Sequence, residues 1–337
     1  MKKILFLING LGLGNSVRIY SIMQRLNLKN TEMSVITSGN GKWFFKNLNI
    51  VKELYFINEI YYGSKNDKIS VSNTFLSIFK TIQNIKKNSN TINKIIDKEK
   101  PDVIVTDSVY MYPGVKKFKN KPKSIYGQYY FIEQLDYLYH KIIPDRIISP
   151  CFLTEDIKKN NLRKKIIRVG PIVRLDLKKR LKRKLRRGAI MLSGSNFGVN
   201  VNLKNENLEY DLDVIGRSEP LGWKPRKGII FHGKINNNIS LLNNIDFCVV
   251  NGGYSALSEL FWAKIPMIVV PVPNHSEQWT NAKQIVSAGC GILGHENTYE
   301  DLIIELNKNY EKYESNYDAL KINDDGADEA AKIILEI

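Results

Sequence analysis

Apolar and polar positions follow two alternating patterns along most of this chain. Short, nearly uninterrupted apolar runs are separated by longer stretches in which apolar residues recur every three or four positions. The first pattern is typical of strands buried on both faces of a parallel sheet, and the second of amphipathic helices that cover the sheet. The predicted elements of the first half are strands at 4–9, 33–37, 102–106, 123–127, 146–149 and 166–169, and helices at 16–26 and 70–98.

A second alternating set follows a highly charged stretch. Its predicted strands are 188–192, 212–215, 229–231, 247–250 and 267–270, with a short helix at 241–244 and further helices after 255 and around 281. This layout predicts an α/β fold of two facing, Rossmann-like, doubly wound domains, with ligands in a cleft at the carboxyl ends of the strands. The predicted boundaries are 1–172 for the N-terminal domain, 173–187 for a basic linker, 188–320 for the C-terminal domain and 321–337 for a C-terminal helix that can pack back on the N-terminal domain.

Length and composition limit the class of protein. The 337 residues are enough for two domains, and 43% apolar with 25% charged residues is typical of soluble globular proteins. The longest apolar runs have strand length, so no transmembrane helix is predicted. The N-terminal run resembles the start of a signal peptide but is broken by Asn9-Gly10, which favours a buried first strand. Cys151, Cys248 and Cys290 are too few and too scattered for a disulfide framework, so we expect a cytoplasmic protein.

Positive charge is concentrated in one segment. Residues 158–187 contain 15 Lys or Arg and one acid, a net charge of +14, whereas the whole chain carries +16. Leu177, Leu181 and Leu185 recur there at four-residue spacing, as in basic amphipathic segments that bind anionic membranes. The alternatives are a solvated linker and, last, a nucleic-acid site, which no recognisable module supports. An aromatic segment at 129–143 is typical of core, with a bilayer-docking patch as its alternative.

A glycine pair follows the strand at 247–250 and precedes a predicted helix that begins near Ser255. Glycine lets the backbone approach a ligand closely, and the free N–H groups of a helix N-terminus attract phosphate. One turn into this helix, the carboxylate of Glu259 can accept hydrogen bonds from a ribose diol. A glycine pair alone more often marks only a tight turn.

The order of the following elements is more specific. The helix closes at Pro266, a buried strand ends at Pro271, and a polar loop with Glu277–Gln278 leads to a helix that carries Asn281–Ala282. This order resembles the donor-binding signature of two-domain nucleotide-sugar glycosyltransferases of the GT-B fold. The peptidoglycan N-acetylglucosaminyltransferase type (family 28) and the UDP-glucuronosyltransferase type (family 1) are the most similar. The resemblance extends loosely over nearly the whole chain and is sharp over 247–291.

This resemblance implies a site for a nucleotide-sugar donor, a UDP-sugar by preference, without a metal or other cofactor. Aligned backbone N–H groups and a helix dipole can stabilise the departing diphosphate. The residues carried over are Gly252, Gly253 and Ser255 for the diphosphate, Glu259 for the ribose, Glu277 and Gln278 for the donor sugar, Gly194 and Ser195 near the phosphates or base, and Asn251 with its role open.

A second glycine-rich loop lies directly after the first strand. Its spacing does not fit a dinucleotide fingerprint. It is similar to the Gly-x-Gly-His-x-x-Arg loop of the same glycosyltransferases, which implies an acceptor or phosphate loop containing Gly12, Gly14 and Arg18. Asn15 occupies the position of the histidine that is the general base, or shapes the acceptor site, in many relatives.

Asparagine cannot act as a base near neutral pH, so another group is needed. Asp107 follows a predicted strand, and we expect it at the same cleft as the base, with helix capping as the alternative. The four histidines lack the spacing of a zinc site, and the Asp-x-Asp at 211–213 falls at a strand start, so no metal is predicted.

The function expected from these features is inverting, metal-independent transfer of a sugar from a nucleotide donor to an acceptor hydroxyl. The acceptor is expected to be a glycan, with a lipid-linked or membrane-associated one suggested by the basic segment at 158–187. That segment would place the protein at the inner face of the plasma membrane. A nucleotide-sugar hydrolase and a catalytically silent binding subunit on the same fold are the alternatives.

Overall fold

The computed structural model divides the chain into two compact units. It describes residues 1–46, 48–59, 64–65, 68–69, 78–107, 123–127, 145–153, 166–180, 187–192, 210–216, 227–295, 299–322 and 324–337. The N-terminal unit comprises residues 1–65, 69–175 and 323–337, and the C-terminal unit comprises 176–322 together with 66–68.

The described strands and helices alternate along the chain. The strands are β1 Lys2–Ile8, β2 Thr31–Thr37, β3 Glu53–Phe56, β4 Ser64–Lys65, β5 Lys68–Ile69, β6 Val103–Asp107, β7 Lys123–Gly127, β8 Arg146–Pro150, β9 Ile166–Val169, β10 Arg187–Met191, β11 Asp211–Ile215, β12 Ile229–Gly233, β13 Phe247–Val250, β14 Met267–Val269 and β15 Gly291–Leu293. The helices are α1 Leu13–Asn27, α2 Gly39–Phe45, α3 Ile78–Glu99, α4 Ile239–Leu242, α5 Tyr254–Trp262, α6 Ser276–Ser287, α7 Tyr299–Lys308, α8 Tyr310–Ala319 and α9 Gly326–Glu336. No described helix is both long and apolar enough to cross a membrane.

Each unit is built on a parallel sheet. Among the described strands, the N-terminal sheet has the order β3-β2-β1-β6-β7-β8-β9, and the C-terminal sheet has the order β12-β11-β10-β13-β14-β15. All of the strand pairs in both sheets are parallel. In both, the chain first adds strands on one side of its first strand and then continues on the other side, which is the doubly wound arrangement. The predicted fold class is confirmed.

The last helix belongs to the N-terminal unit. Ala327, Ala330 and Ile334 on α9 are buried in the same core as residues of α1 and β1. A Cβ on Gly326 would lie 2.0 Å from the carbonyl oxygen of Gly170, so only glycine permits this close approach. A buried ion pair between α1 and the α9 N-cap accompanies the contact, formed by Arg25 and Asp325. The C-terminal helix is therefore held by apolar burial and by charge.

Part of the basic segment is structural rather than exposed. Leu177 is buried, and the described residues around it, 171–180, are not helical. The Arg180 guanidinium is also buried and pairs with Asp246 at 3.4 Å and with Glu314 at 2.6 Å. These side chains cannot contact a membrane in this conformation. Residues 158–165, 181–186 and the aromatic segment at 129–143 lie outside the described residues.

One charged cluster in the C-terminal unit makes its stability depend on pH. The Asp213 carboxylate is buried and accepts hydrogen bonds from the Arg187 guanidinium at 2.5 and 2.9 Å, and its Oδ1 lies 2.6 Å from Nε2 of His232. Burial alone would raise the pKa of Asp213, but the hydrogen bonds from Arg187 and His232 outweigh it and lower the pKa. The cluster therefore stabilises the fold at pH values above about 4, the ordinary pKa of an aspartate.

We expect this stabilisation to disappear as the pH falls below about 4, because protonation of Asp213 then removes its ion pair. The measurement is urea unfolding of the wild type and of Asp213→Asn between pH 3 and 7. The variant should be less stable at pH 7 and its unfolding free energy should change less with pH. Equal pH dependence in both proteins would contradict this assignment.

Candidate active site

The two glycine loops lie at equivalent places in the two sheets. In the N-terminal sheet the strand order reverses between β1 and β6, and in the C-terminal sheet between β10 and β13. Ligands of doubly wound sheets bind at these switch points, outside the carboxyl ends of the strands. The loop at 9–12 follows β1, and the loop at 251–253 follows β13. Gly194 and Ser195, which follow β10, lie outside the described residues.

The adjacent glycines of the second loop have different surroundings. A Cβ on Gly252 would lie 2.4 Å from the backbone oxygen of Gln278, so packing against α6 requires glycine there. Gly253 has a φ of −68°, which any residue adopts. Among the described residues, its chain neighbours apart, no heavy atom lies within 4 Å of the position of its Cβ. Packing against α6 therefore explains Gly252, whereas the described residues leave open space beside Gly253 at the N-terminus of α5.

Two asparagines hold this loop in place. The Asn281 amide, on α6, donates to the backbone oxygen of Gly252 at 3.0 Å. The Asn251 amide donates to the backbone oxygen of Leu192, at the end of β10, at 2.8 Å. In the sequence, Asn281 is only one residue of the donor-binding signature. The structure makes it a positioning residue for the glycine loop, which its spacing alone did not indicate.

The helix α5 starts directly at the loop. Its N-cap residue is Gly253, which has no side chain to satisfy the first N–H groups of the helix. Ser255 lies in the first turn and is 6% exposed, and Glu259 lies one turn further and is 3% exposed. Both side chains are therefore covered in this conformation. The assignment of the ribose hydroxyls to Glu259 stays a prediction.

The first turn of α6 carries the residues expected to contact the donor sugar. The Oε1 atom of Gln278 accepts a hydrogen bond from the backbone nitrogen of Val272 at 2.9 Å, so the side chain is held and its amide nitrogen can donate. Glu277 is partly buried in the same turn. His275 is the N-cap residue, and burial lowers the pKa of its imidazole, which favours the neutral form.

The N-terminal loop is also closely packed. A Cβ on Gly10 would lie 1.7 Å from the backbone oxygen of Ser38, so the turn after β1 can be made only with glycine. The helix α1 begins at Leu13, with Gly12 as its N-cap, and Gly14 is exposed in its first turn. The helix predicted at 16–26 starts three residues earlier, so Ser16 lies inside it and is buried.

Arg18 connects the two candidate catalytic residues. Its Nε donates to Oδ2 of Asp107 at 2.9 Å, and its Nη2 pairs with Oδ1 of the same carboxylate. Nη2 also donates to the Asn15 side-chain oxygen at 3.3 Å, and the Asn15 amide donates to the backbone oxygen of Asn9 at 3.3 Å. Asp107 lies beside the loop because it pairs with Ile8 in the sheet.

Asp107 is poorly placed to accept a proton from a substrate. Its side chain is 0% exposed, and the Arg18 guanidinium contacts both of its carboxylate oxygens. A general base has to come within hydrogen-bond distance of the acceptor hydroxyl. The arrangement is that of a buried ion pair which orients Asn15 and the glycine loop. The base role of Asp107 stays a prediction, and it requires Arg18 to move.

The described residues contain no group of three or more His, Cys, Asp or Glu side chains placed to hold a metal ion.

Two family models match different parts of the chain. The glycosyl transferase family 1 model matches residues 2–136, and the glycosyltransferase family 28 C-terminal domain model matches residues 229–334. An uncharacterized glycosyltransferase of Methanopyrus kandleri is 33% identical over 58 residues, which is 17% of this chain and 17% of that relative. The match to the family 28 C-terminal domain model contains the loop at 251–253.

Solved structures resemble the whole chain. MurG of Acinetobacter baumannii has a TM-score of 0.63 at 14% identity, with full coverage of both chains. The glycosyltransferase SsfS6 of Streptomyces sp. SF2575, complexed with thymidine diphosphate, has a TM-score of 0.64 at 14% identity, again with full coverage. Arabidopsis thaliana UGT89C1 complexed with UDP has a TM-score of 0.64 at 11% identity, covering 99% of each chain. At such identities these matches establish the fold.

The parallel, doubly wound sheets and the glycine loops at their switch points define a protein of the GT-B class. Within that class, both parts of the chain match glycosyltransferase family models, family 1 at residues 2–136 and family 28 at residues 229–334. The resemblance stated from the sequence is confirmed.

Proposed function

We propose that this chain is an inverting, metal-independent glycosyltransferase that uses a nucleotide-sugar donor. The observation that carries the proposal is the loop at 251–253. Gly252 is required by packing, but within the described part of the chain there is open space beside Gly253, at a helix N-terminus whose N-cap residue has no side chain. A diphosphate fits such a place, because helix N-terminal N–H groups and the helix dipole attract negative charge.

The proposed chemistry follows from these groups. When the sugar leaves the donor, negative charge develops on the nucleoside diphosphate, and the N-terminal amides of α5 stabilise it. Glu259 binds the ribose hydroxyls, and Glu277 and the Gln278 amide bind the donor sugar. An acceptor hydroxyl attacks the anomeric carbon from the face opposite the diphosphate, which inverts the configuration. The diphosphate can be stabilised without a metal ion in this scheme.

A UDP-sugar is the proposed donor, supported by the match to UGT89C1 complexed with UDP. The proposed acceptor is a membrane-associated or lipid-linked glycan, supported by the net charge of +14 within 158–187. Because Arg180 and the apolar side chain of Leu177 are buried, basic residues of that segment other than Arg180 would make the membrane contact. Binding to phosphatidylglycerol vesicles but not to phosphatidylcholine vesicles would support this contact, and equal binding to both would contradict it.

The proposal predicts donor turnover that does not depend on a divalent metal. The wild type is incubated with UDP-glucose, UDP-galactose, UDP-N-acetylglucosamine or UDP-glucuronic acid. Candidate acceptors are octyl glycosides, polyprenyl-linked saccharides and quercetin, and released UDP is measured. We expect one pair to react at the same rate in EDTA and in Mg²⁺, and NMR should show inversion at the anomeric carbon.

Other outcomes identify the alternatives. UDP released at an equal rate without any acceptor would favour the nucleotide-sugar hydrolase. Tight UDP binding without turnover would favour the silent binding subunit, for which Asn15 in the histidine position is the specific support. A requirement for Mg²⁺ or Mn²⁺ would contradict the metal-independent mechanism.

A further inference from the structure

Another carboxylate lies near the loop at 9–12, and its surroundings differ from those of Asp107. Glu59 lies three residues after the end of β3, which is on the same carboxyl-end edge of the sheet as the loop at 9–12. The Asn58 backbone nitrogen donates to the Asn88 side chain at 2.9 Å, and the Asn84 amide donates to the Glu59 backbone oxygen at 3.1 Å. The backbone that carries Glu59 is thus fixed to α3.

The Glu59 side chain points to the glycine loop. Its Oε1 atom lies 2.3 Å from the position that a Cβ on Gly39 would occupy, and the backbone oxygen of Gly10 lies 2.9 Å from the same position. Gly39 has a φ of +45°, which also favours glycine. The Asn40 backbone nitrogen donates to Gly10 at 2.8 Å, and the Asn40 amide donates to the backbone oxygen of Leu11 at 2.9 Å. The carboxylate, the residues after β2 and the glycine loop are therefore neighbours.

Glu59 also has the freedom that Asp107 lacks. It is partly exposed, and within the described part of the chain its carboxylate has neither a hydrogen-bond partner nor an ion-pair partner. Phe56, at the end of β3, is 48% exposed, with the Lys42 ammonium 4.9 Å from its ring centroid. Phe56 is thus an exposed aromatic ring on the strand that leads to Glu59, and a sugar can lie on such a ring.

We propose that Glu59 is the general base of the transfer reaction, acting on an acceptor hydroxyl bound beside the loop at 9–12. The proton of that hydroxyl moves to the Glu59 carboxylate while the acceptor oxygen bonds to the anomeric carbon of the donor. The bond between that carbon and the diphosphate oxygen breaks, and UDP leaves with the electron pair. This inference rests on the proposed function, and it gives Arg18 and Asp107 the task of positioning the loop.

The test compares Glu59→Gln, Glu59→Ala and Asp107→Asn with the wild type. UDP release is measured with the acceptor that gives the highest rate, or with water if no acceptor raises the rate. Loss of a general base reduces kcat by about 10²- to 10⁴-fold, so we expect a loss in this range for both Glu59 variants with unchanged UDP affinity. Formate should restore part of the rate of Glu59→Ala, since a small carboxylate can occupy the vacated space.

The exposed Glu53 on the same strand provides the control, and Glu53→Gln should behave as the wild type. A Glu59→Gln rate within two-fold of the wild type would overturn the proposal. So would a loss confined to Asp107→Asn, or the absence of turnover in a wild type that binds UDP. Failure of the wild type to bind any nucleotide is a different result, because it would refute the proposed function itself.

Discussion

Gly253→Ala is expected to weaken UDP binding by about 100-fold, which corresponds to ~2.7 kcal/mol, while leaving the fold intact. Apart from its chain neighbours, no atom of the described residues lies within 4 Å of the new methyl group, and the φ of −68° suits alanine, so we expect no strain in the free protein. The methyl group would occupy the space that we assign to the diphosphate. Calorimetric titration gives the affinity, and thermal unfolding gives the stability.

The neighbouring glycine provides the matched control. In Gly252→Ala the methyl group would lie 2.4 Å from the backbone of α6, so α6 or the loop has to move. Overpacking of this kind costs about 1–3 kcal/mol of stability. Gly252→Ala should therefore lower the unfolding temperature, whereas Gly253→Ala should not. A Gly253→Ala protein that binds UDP as tightly as the wild type would contradict the placement of the diphosphate.

Asp107→Asn is expected to destabilise the N-terminal unit by about 3–5 kcal/mol, because it leaves the Arg18 guanidinium buried without its counter-charge. Arg18→Met should cost a similar amount by leaving the carboxylate without its partner. The double variant Arg18→Met with Asp107→Leu should recover much of this loss, since an apolar pair leaves no unpaired charge. Urea unfolding followed by circular dichroism measures all three variants.

Asp97 is exposed on α3 and provides the control, so Asp97→Asn should leave stability within about 0.5 kcal/mol of the wild type. If Asp107→Asn were equally harmless, Arg18 and Asp107 would not form a structural pair. A stable Asp107→Asn protein with greatly reduced turnover would instead support the base role that the sequence suggested for Asp107.

The sequence predicted the central strands well, because their apolar runs are buried on both faces. Among these, β13 has the predicted bounds, and β1 and β10 match within two residues. Two elements that follow β2 in the chain were missed. β3 at Glu53–Phe56 lacks a continuous apolar run, and α2 at Gly39–Phe45 contains two glycines and is only seven residues long. Neither has the periodicity on which the prediction depends.

Because these elements were missed, Glu59 could not be recognised as a candidate from the sequence. Its position becomes meaningful only when β3 is placed beside β2 and when Gly39 approaches the backbone of Gly10. The burial of Asp107 has a similar cause. The sequence predicted that Asp107 follows a strand, but the ion pair with Arg18 joins residues 89 positions apart. Spacing along the chain carries no information on such a pair.

The donor loop was more accessible to sequence reasoning, because its groups are close together in the chain. Residues 250–259 form one strand-to-helix turn, and the structure has this turn where the sequence places it. The sequence could not distinguish the two glycines, since the contact that requires Gly252 comes from α6, 26 residues further on. The role of Asn281 was hidden for the same reason.

The most direct test of this account is calorimetric titration of UDP, GDP, dTDP and CDP into the wild type, Glu259→Ala and Glu311→Ala. Glu311 is exposed on α8 and is the control. We expect the wild type to bind UDP saturably and more tightly than the other nucleotides. UDP binding should be markedly weaker in Glu259→Ala and unchanged in Glu311→Ala. If none of the four nucleotides binds the wild type, the transferase assignment and the donor site at 251–259 are both wrong.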